Sequence, residues 1–165
     1  MTSDAGPAGP VPPAQPAPAV DRMLAADAAS AALGMQLVDS GPGRGSVRMT
    51  VRADMLQGHG SCHGGLLFTL ADTAFAVACN GAAAGPVVGA SAEVTWVTPA
   101  FAGDVLVADA VEIARFGRNG VTDVTVRREG DGSVVALFRG RSLELAAPPS
   151  PPMAPTAPAH PGPGR

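Results

Sequence analysis

Residues 64–80, GGLLFTLADTAFAVACN, carry a single charged side chain, Asp72, in a run that is otherwise apolar, small or hydroxyl-bearing. A carboxylate placed there needs an explanation, because desolvating it is costly unless partners compensate. It is either a hydrogen-bonded structural Asp or a group kept for proton transfer or nucleophilic attack. The residues just before it favour chemistry. His63, Gly64 and Gly65 open the run. Two residues without side chains at a helix start leave the first-turn N–H groups open to a ligand, at the positive end of the helix dipole. Such donors can hold the oxyanion that forms when an acyl carbonyl is attacked. Gly64 and Asp72 lie eight positions apart, which is about 12 Å along one helix at 1.5 Å per residue. That is too far for both to reach one carbonyl group. If they serve one site, the helix start of one subunit must face Asp72 of another, and the active unit is at least a dimer with paired sites.

The other reactive side chains give weaker patterns. His63 either shapes the turn through local hydrogen bonds or transfers a proton. Cys62 and His63 make a poor nucleophile pair, since adjacent side chains usually point apart and no third group orients them. His59, Cys62, His63 and Cys79 do not have a zinc-site spacing, so neither metal nor cofactor is expected. A GxSxG elbow is absent, and GHGSCH fails GxGxxG because its last position is His63. The segment RFGRNG offers Arg115, Arg118 and Asn119 either as contacts for an anionic ligand or as an ordinary solvated hairpin tip.

These groups must be positioned by a modest frame. Of the 17 prolines, 14 fall in residues 1–19 or 146–165. Those flanks lack the apolar periodicity that would offset chain entropy, so they are expected as disordered tails around one domain at 20–145. Within it, DRMLAADAASAAL at 21–33 predicts a helix stopped by Gly34, and residues 35–39 and 46–52 predict two strands around SGPGRG. Residues 64–80 are apolar on nearly every side, the pattern of a helix surrounded by protein. Four strand-like runs follow, at 87–97, 104–116, 121–129 and 133–145, with connections short enough for antiparallel neighbours. One buried helix followed by such strands predicts an α+β sandwich whose sheet wraps the helix.

Composition excludes some partners. A formal charge of −3, with no lysine and eleven scattered arginines, argues against a nucleic-acid surface. No signal-peptide pattern or uncharged membrane-length run is present, so a cytoplasmic protein with no membrane partner and two reduced cysteines is the expectation.

The stretch LQGHGSCHGGLLFTLADTAFAVACNG resembles the signature of the phenylacetyl-CoA thioesterases of phenylacetate degradation. The likeness covers most of residues 22–144, including VTPAFAGD and VALFRGRS. The resemblance implies a hotdog fold, a homotetramer built as a dimer of dimers, and hydrolysis of phenylacetyl-CoA and related aryl- or acyl-CoA thioesters without a cofactor. It implies that Asp72 acts as general base or nucleophile and that Gly64 supplies a backbone N–H, with Gly65 beside it at the substrate. Relatives commonly carry Asn six residues before the HGG histidine, where Gln57 stands here, and an extra methylene there can alter rate or acyl preference. Some hotdog thioesterases use a hydroxyl on the strand after the helix, for which Ser91 is the nearest candidate. A broader-specificity acyl-CoA thioesterase and a non-catalytic acyl-CoA-binding module remain as alternatives.

Overall fold

In the computed structural model the described residues are 18–146, apart from 82 and 84. Two short helices, α1 (Pro18–Ala25) and α2 (Ala28–Ala32), lead into strands β1 (Gln36–Gly41) and β2 (Arg44–Thr50). A long helix, α3 (Gly64–Asn80), precedes β3 (Val87–Trp96), β4 (Val105–Phe116), β5 (Asn119–Arg128) and β6 (Val134–Glu144). The strands form one antiparallel sheet in the order β1-β2-β4-β5-β6-β3, with α3 packed on its inner face. This is the α+β hotdog arrangement.

The sequence predicts one helix over residues 21–33; the chain forms two. Asp27 caps the second, accepting from Ser30 N–H at 2.9 Å and from Ser30 Oγ at 2.6 Å, and an N-cap needs non-helical backbone. Propensity alone cannot see that break inside an alanine-rich run. The first helix starts at Pro18, so Pro18 and Ala19 are ordered structure rather than tail. The remainder of both expected tails, 1–17 and 147–165, lies outside the described residues. Gly34 ends α2 as expected, with φ +69 in the left-handed region.

The core is the sheet side of α3. Leu67, Leu70, Ala71, Ala74, Val77 and Ala78 meet the inward residues of the sheet, among them Val47, Met49, Leu106, Ala108, Val124, Val126 and Phe138. Full burial of each Leu, Val or Phe contributes about 1.5–3 kcal/mol. Helix and sheet approach closely enough that a Cβ on Gly45 would lie 2.6 Å from Val77 Cγ1. At the far end of α3, Asn80 Nδ2 donates to the carbonyls of Ala76 and Val87, at 3.0 and 3.2 Å, and its Oδ1 accepts from Val87 N–H at 3.0 Å. This clamp fixes where β3 begins relative to the helix.

Candidate active site

The start of α3 is organised by its capping residue. His63 has extended backbone (φ −63, ψ 129), and its Nδ1 accepts from Gly65 N–H at 3.0 Å. Its own N–H donates to Met55 O at 2.9 Å. The imidazole therefore shapes the turn, and it occupies the Gly65 donor. Gly64 N–H makes no protein hydrogen bond among the described residues, which leaves it available to a ligand. The preceding loop is closed by Gln57, whose Nε2 donates to Ser61 Oγ and whose Oε1 accepts from His59 N–H, both at 2.9 Å. Trp96, the only tryptophan, completes this end. Its indole N–H donates to Gly64 O at 3.3 Å, and the ring lies so close that a Cβ on Gly64 would stand 2.8 Å from Nε1. Gln57, His63, Gly64 and Trp96 line a cleft of about 480 Å³. Trp96 was not a candidate on sequence. Its signal was a lone aromatic with a polar handle at a strand end, but its partner is 32 residues away.

Asp72 lies two turns further along α3, in the wall of a separate cavity of about 390 Å³. Phe68, Phe75, Ala76, Cys79, Val87 and Ser91 share that cavity. The carboxylate has no protein hydrogen-bond or ion-pair partner among the described residues. Crowding by the surrounding protein pushes its pKa above the ordinary carboxylate value. Even so, the side chain is exposed in the single chain, because the cavity mouth is open. The helix is covered on most sides, but its own chain leaves one stripe open. Gly65 and Asp72 are exposed while Phe68 and Ala76 are only half-buried, and at spacings of three, four and four residues they form one stripe. An apolar helix face can be left bare by its own chain when it is shaped to be covered by something else.

The structure thus groups the sequence candidates in two sets. Gln57, His63 and Gly64 come together at the helix start, and Asp72 and Ser91 come together beyond it; no residue lines both cavities. Arg115, Arg118 and Asn119 line neither. The Arg115 guanidinium is held by both carboxylate oxygens of Glu112 at 2.8 Å and by Glu144 at 3.4 Å, so its planar fork is already engaged with carboxylates. Arg118 and Asn119 stand at the exposed β4–β5 tip. Among the described residues no group of His, Cys, Asp or Glu is placed to hold a metal ion, and no helix is long and apolar enough to cross a membrane.

Comparison with known proteins identifies the family. A Thioesterase superfamily model matches residues 59–135, which span the helix start and Asp72. Acyl-coenzyme A thioesterase PaaI of Escherichia coli K12 is 45% identical over 121 residues, covering 72% of this chain and 84% of that protein. The solved E. coli PaaI structure, from the phenylacetic acid degradation operon, superposes with a TM-score of 0.75 at 41% identity, over 78% of this chain and 91% of that one. A mutant of the phenylacetic acid degradation protein PaaI from Thermus thermophilus gives 0.66 at 40% identity, over 70% and 97%. The chain belongs to the hotdog thioesterase superfamily, within its phenylacetate-degradation branch, and is an acyl-CoA thioester hydrolase.

Proposed function

We propose that the chain hydrolyses phenylacetyl-CoA or a related aryl-CoA thioester at a site assembled from two subunits. The observation that carries this reading is the partnerless Asp72 carboxylate in an open cavity, separate from the cleft that holds the free Gly64 N–H. Strand β3 supports it as well. It is an edge strand of ten residues, Val87–Trp96, exposed over most of its length and bounding both cavities. An unprotected edge of that length is a template for pairing with a second copy. Pairing β3 with its equivalent and running α3 antiparallel to the partner's helix would bring Gly64 of one protomer towards Asp72 of the other, and would cover the bare stripe. Association of two such dimers would give the tetramer that the family resemblance implies. Cytoplasmic residence is part of the same reading.

In this arrangement the thioester carbonyl oxygen sits on the Gly64 N–H, where the helix dipole and the first-turn donors stabilise developing negative charge. Asp72 takes a proton from the attacking water, or attacks to give a mixed anhydride that water then opens. The leaving thiol has a pKa of about 8.5 and departs with little assistance, so one carboxylate and one oxyanion donor suffice. Gln57 closes the loop that carries the His63 cap, and Ser91 lines the same cavity as Asp72. A non-catalytic binding module would have no use for a carboxylate beside its ligand.

The test is Asp72→Asn, which keeps volume but neither accepts a proton nor attacks well. Hydrolysis of phenylacetyl-CoA should fall by about 10²–10⁴-fold while binding of a CoA thioether is retained. Turnover close to wild type would remove Asp72 from the mechanism. Incorporation of ¹⁸O into Asp72 during a single turnover in labelled water would assign the nucleophilic route, with water opening the anhydride at the Asp72 carboxyl carbon.

A further inference from the structure

Phe75 is 3% exposed and forms part of the wall of the Asp72 cavity, yet its ring is not held by side chains alone. It lies on bare backbone. A Cβ on Gly140 of β6 would stand 2.6 Å from Phe75 Cε2, 2.8 Å from Phe75 Cδ2 and 2.9 Å from Phe138 Cε1, closer than packed atoms tolerate, with Phe75 the nearest. On the neighbouring strand, a Cβ on Gly89 would lie 3.5 Å from Phe75 Cε1, in ordinary contact. The inward positions on either side of Gly140, namely Phe138 and Ser142, carry buried side chains, so Gly140 is a gap in the inner surface of the sheet. The ring sinks into that gap. It rests against Phe138 with centroids 5.7 Å apart, and Phe138 meets Phe68 edge-on at 5.4 Å. Gly140 itself lines no part of the cavity.

Beyond Asp72 the cavity runs past Ala76 to Cys79 and Val87, beside the Asn80 clamp. Its depth depends on Phe75 staying in the sheet. Gly140 is held between Thr122 on β5 and Ala92 on β3, so its backbone has little freedom to retreat. A side chain there would push the Phe75 ring away from the sheet and towards the cavity.

We infer that Gly140 is a positioning residue for acyl specificity: by seating Phe75 in the sheet it keeps open, beside Asp72, a cavity that accepts the aryl group of the substrate. This rests on the catalytic reading above only for the identity of the ligand. The aromatic edges of Phe68 and Phe75 and the small Ala76 suit a flat ring, and the single charge on the wall, Asp72, is where the thioester carbon must lie.

The experiment compares wild type, Gly140→Ala, Phe75→Leu and the double variant. Two non-hydrolysable thioethers, S-(2-phenylethyl)-CoA and S-ethyl-CoA, are bound by titration calorimetry, and kcat/KM is measured in parallel for phenylacetyl-CoA and acetyl-CoA. Gly140→Ala should weaken phenylethyl binding about tenfold or more and leave ethyl binding within about twofold, the scale on which a pocket discriminates by one or more methylenes. Adding Phe75→Leu, which removes Cε2, the nearest of the clashing atoms, should restore phenylethyl affinity to within about threefold of the Phe75→Leu single variant. An equal loss on both thioethers, no loss on either, or failure of the second substitution to rescue would overturn the inference. If Gly140→Ala alone does not fold, the double variant decides: folded and selective for phenylethyl supports the coupling, and unfolded shows that Gly140 serves something other than Phe75. A wild-type protein that binds the thioethers but cleaves no thioester would defeat the catalytic reading and leave this one standing.

Discussion

The two sides of α3 are both apolar in sequence and have different fates. One side, with Leu67, Leu70, Ala71, Ala74 and Val77, is sealed against the chain's own sheet. The other, with Gly65, Phe68, Asp72 and Ala76, is left open or half-open. Hydrophobicity shows that a face must be covered but not by which chain. The single charged side chain, with Gly65 and Ala76, falls on the open side, where a ligand and a second copy need access and close approach. The sealed side provides stability; the proposed two-subunit site gives the open side to assembly and chemistry.

Substitutions can break that contrast. On the sealed side, Leu70→Ala should cost about 2–5 kcal/mol in unfolding free energy, because Leu70 is fully buried and its cavity cannot be filled by a rigid sheet. Denaturant melts would measure it, and kcat per folded site should stay near wild type. A loss below about 1 kcal/mol would mean that this side is not the tightly packed core described.

The open side predicts a smaller effect of opposite sign. Asp72 has its folded-state pKa raised above the ordinary 3.8 by desolvation. As pH rises from the unfolded value to the folded one, the unfolded chain releases the proton first, so stability falls through that window and stays lowered above it. Asp72→Asn removes that penalty. Its melting temperature should therefore exceed wild type at pH 7, by about 1–2 °C allowing for the exposed side chain, and the difference should close below about pH 4. A lower melting temperature at pH 7 would show that the carboxylate stabilises the fold. Wild-type hydrolysis should in turn decline as acid protonates Asp72 at a pH above the ordinary carboxylate range, since the neutral acid is not a base.

Much of this was legible in the sequence because its signals are local. The strand-like runs with short connections, the uninterrupted helix at 64–80 and the glycines at its start need no long-range information, and the strand bounds came within a few residues. The eight-residue gap between Gly64 and Asp72 also implied that one chain keeps them apart, and the two residues line different cavities. What was hidden depends on contacts distant in sequence or on competition for a donor. Trp96 over Gly64, Gly140 beneath Phe75 and the Glu112–Arg115–Glu144 cluster each need the register of the sheet. The break between α1 and α2 needed the geometry of the Asp27 cap. The exposure of Asp72 needed the position of a chain edge.

The central claim, that Gly64 and Asp72 of different protomers make one site, is tested most directly by subunit complementation. Gly64→Pro deletes the proposed oxyanion donor. Proline is accepted in the first helical turn, and His63 already has the extended backbone that a residue before proline requires. The new ring must displace the Trp96 indole, which is 56% exposed at the chain edge, and indole fluorescence reports whether it has moved without unfolding. Gly64→Pro and Asp72→Asn proteins should each be close to inactive. Mixed in equal amounts, dissociated and re-paired, half the dimers are hybrids with one intact site of two, so about a quarter of wild-type activity should return. If mass labels show that subunits have exchanged and the mixture stays at background, the cross-subunit site is wrong.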